Sequence, residues 1–187
     1  MGVSNSFASA LWVIDFLFNC AQGGAAGVNL HGGGNANCYS PIADKSGVVV
    51  EVRPEFYGMS LFTLAGQGVI YPMNLAGGGI NATAYAIKTS SGDLNFVVVN
   101  KDPTQNIQLT ISMPQTVSSA TLMTNSQLSS GAQGPSLAAT SGVTIQGATI
   151  YPNGDFTPSA PYNLSAGSSQ INCYVPALSA ILIKTKG

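Results

Sequence analysis

After Gly68 the sequence becomes a succession of short β-forming runs, and this feature constrains the fold more than any other. Eight segments are rich in β-branched and aromatic residues, and several alternate apolar with polar positions. Turn-forming stretches separate them at near-regular spacing. The segments are 68–75, 80–89, 94–101, 107–113, 118–125, 143–150, 170–176 and 178–185. This pattern predicts an antiparallel β-sandwich over residues 68–187, with 126–142 as a long exposed loop.

The first 67 residues have a different pattern, which begins with a predicted helix over 4–21. Ser4 or Asn5 can serve as its N-cap, and two glycines follow its end. Apolar residues lie on most of its faces, so we expect the helix to be buried, with Trp12 in the core.

One strand, one loop and a second helix follow it. Residues 25–32 predict a short strand, 33–53 a loop, and 54–66 a helix that starts at a proline. A parallel strand needs neighbours on both sides and cover on both faces, so these elements cannot complete a sheet. We therefore expect 1–67 to be the end of a larger α/β domain, or segments that pack on the sandwich.

The chain carries few charges. Asp, Glu, Lys and Arg make up 7% of it, and the net charge is −1. The scattered Lys and Arg form no basic stripe, which argues against nucleic acid as a partner. Ser, Thr, Asn and Gln must therefore supply the surface polarity, a composition typical of extracellular proteins.

The cysteines predict neither a zinc site nor a disulfide framework, because Cys20, Cys38 and Cys173 are odd in number and lack a C-x-x-C spacing. One pair is compatible with the sequence, which does not say which. We expect no metal and no cofactor.

The apolar stretch 7–21 contains Asp15 and has no Lys or Arg before it. It is short for a membrane span and lacks the basic start of a signal peptide, so a buried helix is the better interpretation. Two sequons, at Asn81 and Asn163, predict N-glycosylation in a secreted protein.

The stretch "GVNLHGGGNANCYSPI", residues 27–42, holds the candidate site. His31, the only histidine, ends the predicted strand and either hydrogen-bonds a substrate or has a structural role. Gly33 lies in a triple glycine, which allows close backbone approach to a ligand or a plain turn. No serine or cysteine has partners spaced for a catalytic triad. The sequence thus predicts a binding loop without a nucleophile.

Four stretches together resemble glycoside hydrolase family 79, the β-glucuronidases and heparanase-like proteins. They are "SFASALWVIDFLFNCAQGGAAGVNLHGG", "YSPI", "RPEFYGMSLFTLAGQG" and a sandwich that ends in "VPALSAILIK". The resemblance implies a (β/α)8 barrel followed by a C-terminal β-sandwich. Residues 1–67 would be the terminal barrel elements, a helix–strand–helix remnant, and 68–187 the sandwich.

The resemblance also implies a retaining mechanism with two carboxylates about 5 Å apart. In the family they lie on the fourth and seventh barrel strands, which would precede Met1, and none of the seven acidic residues here matches either motif. The chain alone should therefore be inactive. Tyr39 would contact the sugar carboxylate together with nearby backbone amides, and Asn37 and Cys38 would flank it.

Two functions follow as expectations. The first is the C-terminal part of a secreted β-glucuronidase-like hydrolase, which would bind a uronic-acid-containing glycan once its barrel is complete. The alternative is a stand-alone, non-catalytic β-sandwich module for carbohydrate binding or adhesion, with 1–67 as an accessory cap.

Overall fold

The structure, a computed structural model, describes residues 3–32, 40–125 and 136–187, the side chains of 123–125 excepted. Within these ranges the chain is mainly β, with antiparallel pairing and two helices. This confirms the predicted class, a β-sandwich preceded by helical elements. The chain divides into two compact units. The first is Met1–Phe62 with Asn125–Ser159, and the second is Thr63–Thr124 with Ala160–Gly187.

The first unit begins with helix α1 (Phe7–Gln22), whose N-terminus is capped by a distant part of the chain. Ser6 occupies the N-cap position, but its side chain makes no capping hydrogen bond. Instead the amides of Phe7 and Ala8 donate to the carbonyls of Ala139 and Leu137, at 2.8 and 3.0 Å. These bonds satisfy two of the amides that a helix start leaves unpaired.

The predicted N-cap at Ser4 or Asn5 is therefore wrong, because the capping carbonyls come from residues more than a hundred positions away in sequence. The burial prediction is correct for one face of α1 only. The buried apolar residues of this face are Phe7, Ala10, Leu11, Val13, Ile14 and Phe18. Trp12 is 52% exposed and stacks on Phe16, with ring centroids 5.0 Å apart. The expectation that Trp12 lies in the core is wrong.

Residues 25–32 form no strand. Val28 and Leu30 are half-buried and alternate with exposed neighbours, which is the burial pattern of a strand. In the described part of the chain, however, no β-strand pairs with this segment. Alternation without a partner does not make a β-ladder, and the strand prediction is corrected for that reason.

The predicted loop 33–53 contains a hairpin. Strands β1 (Ile42–Lys45) and β2 (Val48–Val52) pair antiparallel. The connecting Ser46 and Gly47 both have positive φ, 53° and 78°. Two left-handed residues suit a two-residue hairpin turn, because their twist matches that of the strands. Residues 33–39 of the predicted loop lie outside the described residues.

Helix α2 (Pro54–Leu64) confirms the second predicted helix. It lies close to α1: a Cβ added at Gly58 would overlap the carbonyl of Ala10 and the side chain of Val13. Tyr57 accepts a hydrogen bond from the amide of Ile150 at 3.0 Å. This bond ties α2 to the segment 143–150 within the first unit.

That segment was predicted as a strand, and the prediction is wrong. Its only β-pairing in the described structure is an isolated bridge between Ile145 and Ala148. Val143, Ile145 and Ile150 are buried, so their apolar character comes from packing rather than from a sheet.

The second unit contains eight strands in its described residues. They are β3 (Val69–Tyr71), β4 (Ala82–Lys88), β5 (Leu94–Asn100), β6 (Ile107–Ser112), β7 (Ser119–Asn125), β8 (Tyr162–Leu164), β9 (Gln170–Val175) and β10 (Ser179–Lys186). Six of them form one sheet in the order β3-β4-β5-β10-β7-β8, and β6 pairs with β9. Strand β8 was not predicted; it takes the place of the strand expected at 143–150.

The core of this unit is made of apolar side chains from both sheets, including Phe96, Val98, Ile111, Ile171 and Ile181. Strand β5 is buried at every position, whereas β9 alternates exposed and buried residues. Cys173 belongs to the core, and burial raises the pKa of its thiol to about 11. Cys20 and Cys173 are both free thiols.

Candidate functional site

The chain leaves the predicted sugar-binding loop at Ser40, and Arg53 holds that end in place. Arg53 and Ser40 are both 0% exposed. The Arg53 Nη1 donates to the Ser40 carbonyl at 3.0 Å and to its Oγ at 3.2 Å. The Ser40 hydroxyl in turn donates to the carbonyl of Ile42 at 2.6 Å. The residue that directly follows Tyr39 is therefore fixed by a buried, charged donor.

The rest of the guanidinium contacts the hairpin. Its Nε donates to Glu51 Oε2 at 3.1 Å, and the Arg53 amide donates to the carbonyl of Pro41 at 2.9 Å. Arg53 thus pairs with Glu51 of the hairpin and also contacts the residue that follows the loop. No signal in the sequence connects Arg53 with the loop.

The described residues that precede the loop line a cavity of about 480 Å³ in the first unit. It is bounded by the start of α1, the extended segment before the loop and the first turn of α2. Its lining residues are Val3, Ser4, Ala8, Ser9, Trp12, Asn29, Leu30, His31 and Glu55. The sequence-predicted His31 thus lies at this cavity, and its side chain is exposed.

Glu55 is the acidic group of the cavity, and only 6% of its surface is exposed. Burial raises the pKa of its carboxyl, and the Arg53 charge partly offsets this effect. No hydrogen bond to this carboxyl is found among the described residues. Its position in the first turn of α2 is favourable, since a helix N-terminus carries partial positive charge.

The structure brings His31 together with Trp12 and Glu55, two residues that sequence analysis did not assign to a site. Trp12 lies in an apolar helix and Glu55 follows a helix-starting proline, so the sequence around neither residue indicates a binding site. Tyr39, Gly33, Asn37 and Cys38 lie at 33–39, outside the described residues. Their predicted roles stay predictions.

The lining of the cavity is suited to binding a polar ligand, but it contains only one carboxyl. An indole ring, an imidazole, the Asn29 amide and the Glu55 carboxyl can stack on and hydrogen-bond a polar ligand. Retaining glycoside hydrolysis uses two carboxylates about 5 Å apart. The lining residues include a single one, Glu55.

Among the described residues, no group of three His, Cys, Asp or Glu side chains is arranged to hold a metal ion. Neither described helix is long and apolar enough to cross a membrane. The two predicted glycosylation sites are exposed in the second unit: Asn81 precedes β4, and Asn163 lies in β8 opposite Thr121.

Solved structures of glycoside hydrolases share this fold. A 4-O-α-L-rhamnosyl-β-D-glucuronidase from Fusarium oxysporum 12S is matched over 98% of this chain and 40% of its own, with a TM-score of 0.71 and 18% identity. A GH51 arabinofuranosidase from Xanthomonas axonopodis pv. citri is matched over 97% and 36%, with a TM-score of 0.59 and 15% identity. The GH30 xylanase C from Talaromyces cellulolyticus is matched over 96% and 36%, with a TM-score of 0.59 and 14% identity.

At these identities the likeness establishes the fold alone, which this chain shares with parts of these glycoside hydrolases. The chain spans about two-fifths of the length of the structures it matches. No protein-family model matches the sequence, and no curated protein matches it.

Proposed function

We propose that this chain is the C-terminal part of a β-glucuronidase-like glycoside hydrolase of family 79. It supplies a sugar-binding loop and a supporting β-sandwich, while the catalytic carboxylates belong to the rest of the barrel. The observation that carries the proposal is the likeness of almost the whole chain to two-fifths of a glucuronidase. The cavity is lined by a single carboxyl, whereas the reaction needs two. This supports the statement that the catalytic carboxylates belong to the rest of the barrel.

The loop 33–39 would recognise the carboxylate of a uronic acid. An ionised carboxylate only accepts hydrogen bonds, so it calls for donors such as the Tyr39 phenol and the Gly33 amide. Asn37 and Cys38 would flank this contact, and His31 would face the sugar from the cavity. The buried bond from Arg53 to Ser40 supports this role, because it holds the backbone next to Tyr39.

The test compares p-nitrophenyl β-D-glucuronide with the corresponding β-D-glucoside, which differ at the sugar carboxylate. We expect ligand-observed NMR to show that the chain prefers the glucuronide. Replacing Tyr39 by Phe should lower this preference about tenfold, the effect of one charge-assisted hydrogen bond. Tyr162→Phe, a change at an exposed tyrosine of β8, serves as the control.

Equal binding of the two glycosides would refute the uronic-acid assignment. Release of p-nitrophenol by the purified chain, lost in Tyr39→Phe, would refute the statement that the catalytic groups lie elsewhere.

Secretion and glycosylation are part of the same proposal. The side chains of Asn81 and Asn163 are exposed, so an oligosaccharide can be attached to either without disturbing the core. Expression in a eukaryotic secretory host should give a protein whose mass falls after treatment with an N-glycosidase. Asn81→Gln and Asn163→Gln should each remove part of that change, and an unchanged mass would refute the modification.

A stand-alone binding module is the second candidate. It is favoured by the compact core of the second unit, which joins both sheets of the sandwich without residues of the first unit. The observation that separates the candidates is whether the loop 33–39 binds a glucuronide: the hydrolase fragment should bind it there, and the stand-alone module should not.

A further inference from the structure

The outward face of the β6–β9 pair carries a continuous set of neutral polar side chains and one tyrosine. Strand register places three cross-strand pairs in a row: Gln108 with Tyr174, Thr110 with Asn172, and Ser112 with Gln170. All six side chains are exposed, and Tyr174 is 46% exposed. We call these six residues the polar strip.

The opposite face of both strands is packed in the core, which makes the strip a rigid surface. Leu109 and Ile111 of β6, and Ile171, Cys173 and Val175 of β9, all belong to the core. The strip therefore cannot turn inward, because side chains alternate between the two faces of a strand. It is a preformed surface, and a ligand would not have to order it.

Two hydrogen bonds orient the amides within the strip. Thr110 Oγ1 donates to Asn172 Oδ1 at 2.7 Å. The side-chain nitrogen of Asn172 therefore remains a donor for a ligand. Gln170 Nε2 donates to Ser112 Oγ at 3.4 Å. The side-chain amide of Gln108 makes no hydrogen bond within the described part of the chain. Donors and acceptors thus remain available along the whole strip.

We propose that the polar strip binds a neutral, extended glycan chain. Sugar hydroxyls both donate and accept hydrogen bonds, as do the Asn and Gln amides and the Thr and Ser hydroxyls of the strip. The Tyr174 ring offers an apolar face with a polar tip, which suits the apolar face of a sugar ring. This site is separate from the loop 33–39 and does not depend on it.

The absence of charge selects the class of ligand. None of the six residues carries a charge, so the strip has no cation to pair with the carboxylates of a polyuronate or with phosphates. The length fits a chain rather than a single sugar: from Gln170 to Tyr174 the strand rises about 13 Å, at about 3.3 Å per residue. A linear β-linked glycan can lie along this length, with one ring over Tyr174 and the following rings beside the amides and hydroxyls.

The test is a titration of the nitrogen-15-labelled full chain with cellohexaose, followed by amide shifts in NMR. We expect shifts confined to β6 and β9. Tyr174→Ala should weaken binding about tenfold through loss of the stacking surface. Asn172→Ala should weaken it about fivefold by removing a neutral hydrogen bond. Both residues are exposed, and an unchanged thermal midpoint will confirm that each variant folds.

Tyr162→Ala is the matched control, since Tyr162 is an even more exposed tyrosine, at 63%, but lies in β8 outside the strip. Its binding should equal that of the wild type. A hexamer of galacturonate, which carries a charge on every ring, should bind at least tenfold more weakly than cellohexaose.

The proposal is overturned by the absence of shifts at millimolar cellohexaose, by binding that survives Tyr174→Ala, or by equal binding of the galacturonate hexamer. The glucuronide experiment with Tyr39→Phe uses another ligand and another unit. Either result can therefore fail without the other.

Discussion

Replacing Arg53 by Met tests the anchor of the predicted sugar-binding loop. Methionine keeps an unbranched apolar stem in place of the arginine stem but removes the guanidinium. The change leaves the buried Ser40 carbonyl without the donor that lies 3.0 Å away and removes the second contact to the Ser40 hydroxyl. Hydrogen bonds from a charged donor contribute about 1.5–3 kcal/mol, and a buried carbonyl left unsatisfied costs about 1–3 kcal/mol.

The partner Glu51 contributes less. Its side chain is 40% exposed, and ion pairs that water reaches contribute about 1 kcal/mol or less. We therefore expect Arg53→Met to lower the free energy of unfolding of the first unit by about 3 kcal/mol. Glu51→Gln, the control, should lower it by about 1 kcal/mol at most.

The assay is urea unfolding followed by tryptophan fluorescence. Trp12 is the only tryptophan and lies in the same unit as Arg53, so its signal reports on that unit. At an unchanged slope of free energy against urea, the midpoint concentration should fall in proportion to the lost stability. A loss below about 1 kcal/mol for Arg53→Met, or an equal loss for Glu51→Gln, would refute the reasoning.

Three further predictions concern the described structure, and one of them has a control variant. Glu55→Gln should stabilise the chain by about 1 kcal/mol at neutral pH, because burial raises the pKa of the Glu55 carboxyl and so disfavours its charged form. The gain in stability should vanish below the pKa that this carboxyl has in the unfolded chain. A gain that does not depend on pH would contradict this cause. Gly58→Ala should lower the free energy of urea unfolding by about 1–3 kcal/mol, since its Cβ would overlap the Ala10 carbonyl. Gly27→Ala, with open space around the added Cβ, should change stability by less than about 0.5 kcal/mol, and similar losses for the two would refute the close helix packing. The Asp102 pKa is held below its ordinary value of 3.8 by hydrogen bonds from the amides of the next turn. The ionised Asp102 carboxylate therefore stabilises the folded chain above pH 3.8, and this stabilisation is lost as the pH falls through the lower pKa of the folded state. The thermal midpoint of Asp102→Asn should thus fall less on acidification than that of the wild type.

Local sequence was sufficient where an element contains its own signals. Helix α2 has a proline and an acidic residue in its first turn, and the structure forms it where the sequence predicts it. Strands β4, β5, β6, β9 and β10 were predicted for the same reason, since β-branched runs bounded by turn residues favour strands wherever a partner exists. The class of the fold, mainly β with an antiparallel sandwich, follows from these strands.

The candidate site was only partly predictable. The sequence placed His31 in the candidate site because it is the only histidine and ends the predicted strand, and the structure places it at a cavity. The tryptophan and the glutamate beside it come from two helices, and no spacing in the sequence relates them. The buried arginine that fixes Ser40 is also hidden from sequence, because only the folded chain shows that it is fully enclosed.

By itself the sequence determined which segments favour helix and which favour strand, and it determined the low charge that leaves surfaces such as the polar strip neutral. Tertiary structure decided which of those segments found partners. Residues 25–32 alternate like a strand, but no described strand pairs with them. Residues 143–150 pack on α2 through Tyr57, and a strand forms instead at Tyr162–Leu164. The physical reason is that periodicity is a property of the local chain, whereas backbone hydrogen bonds and burial need a second segment that only the fold supplies.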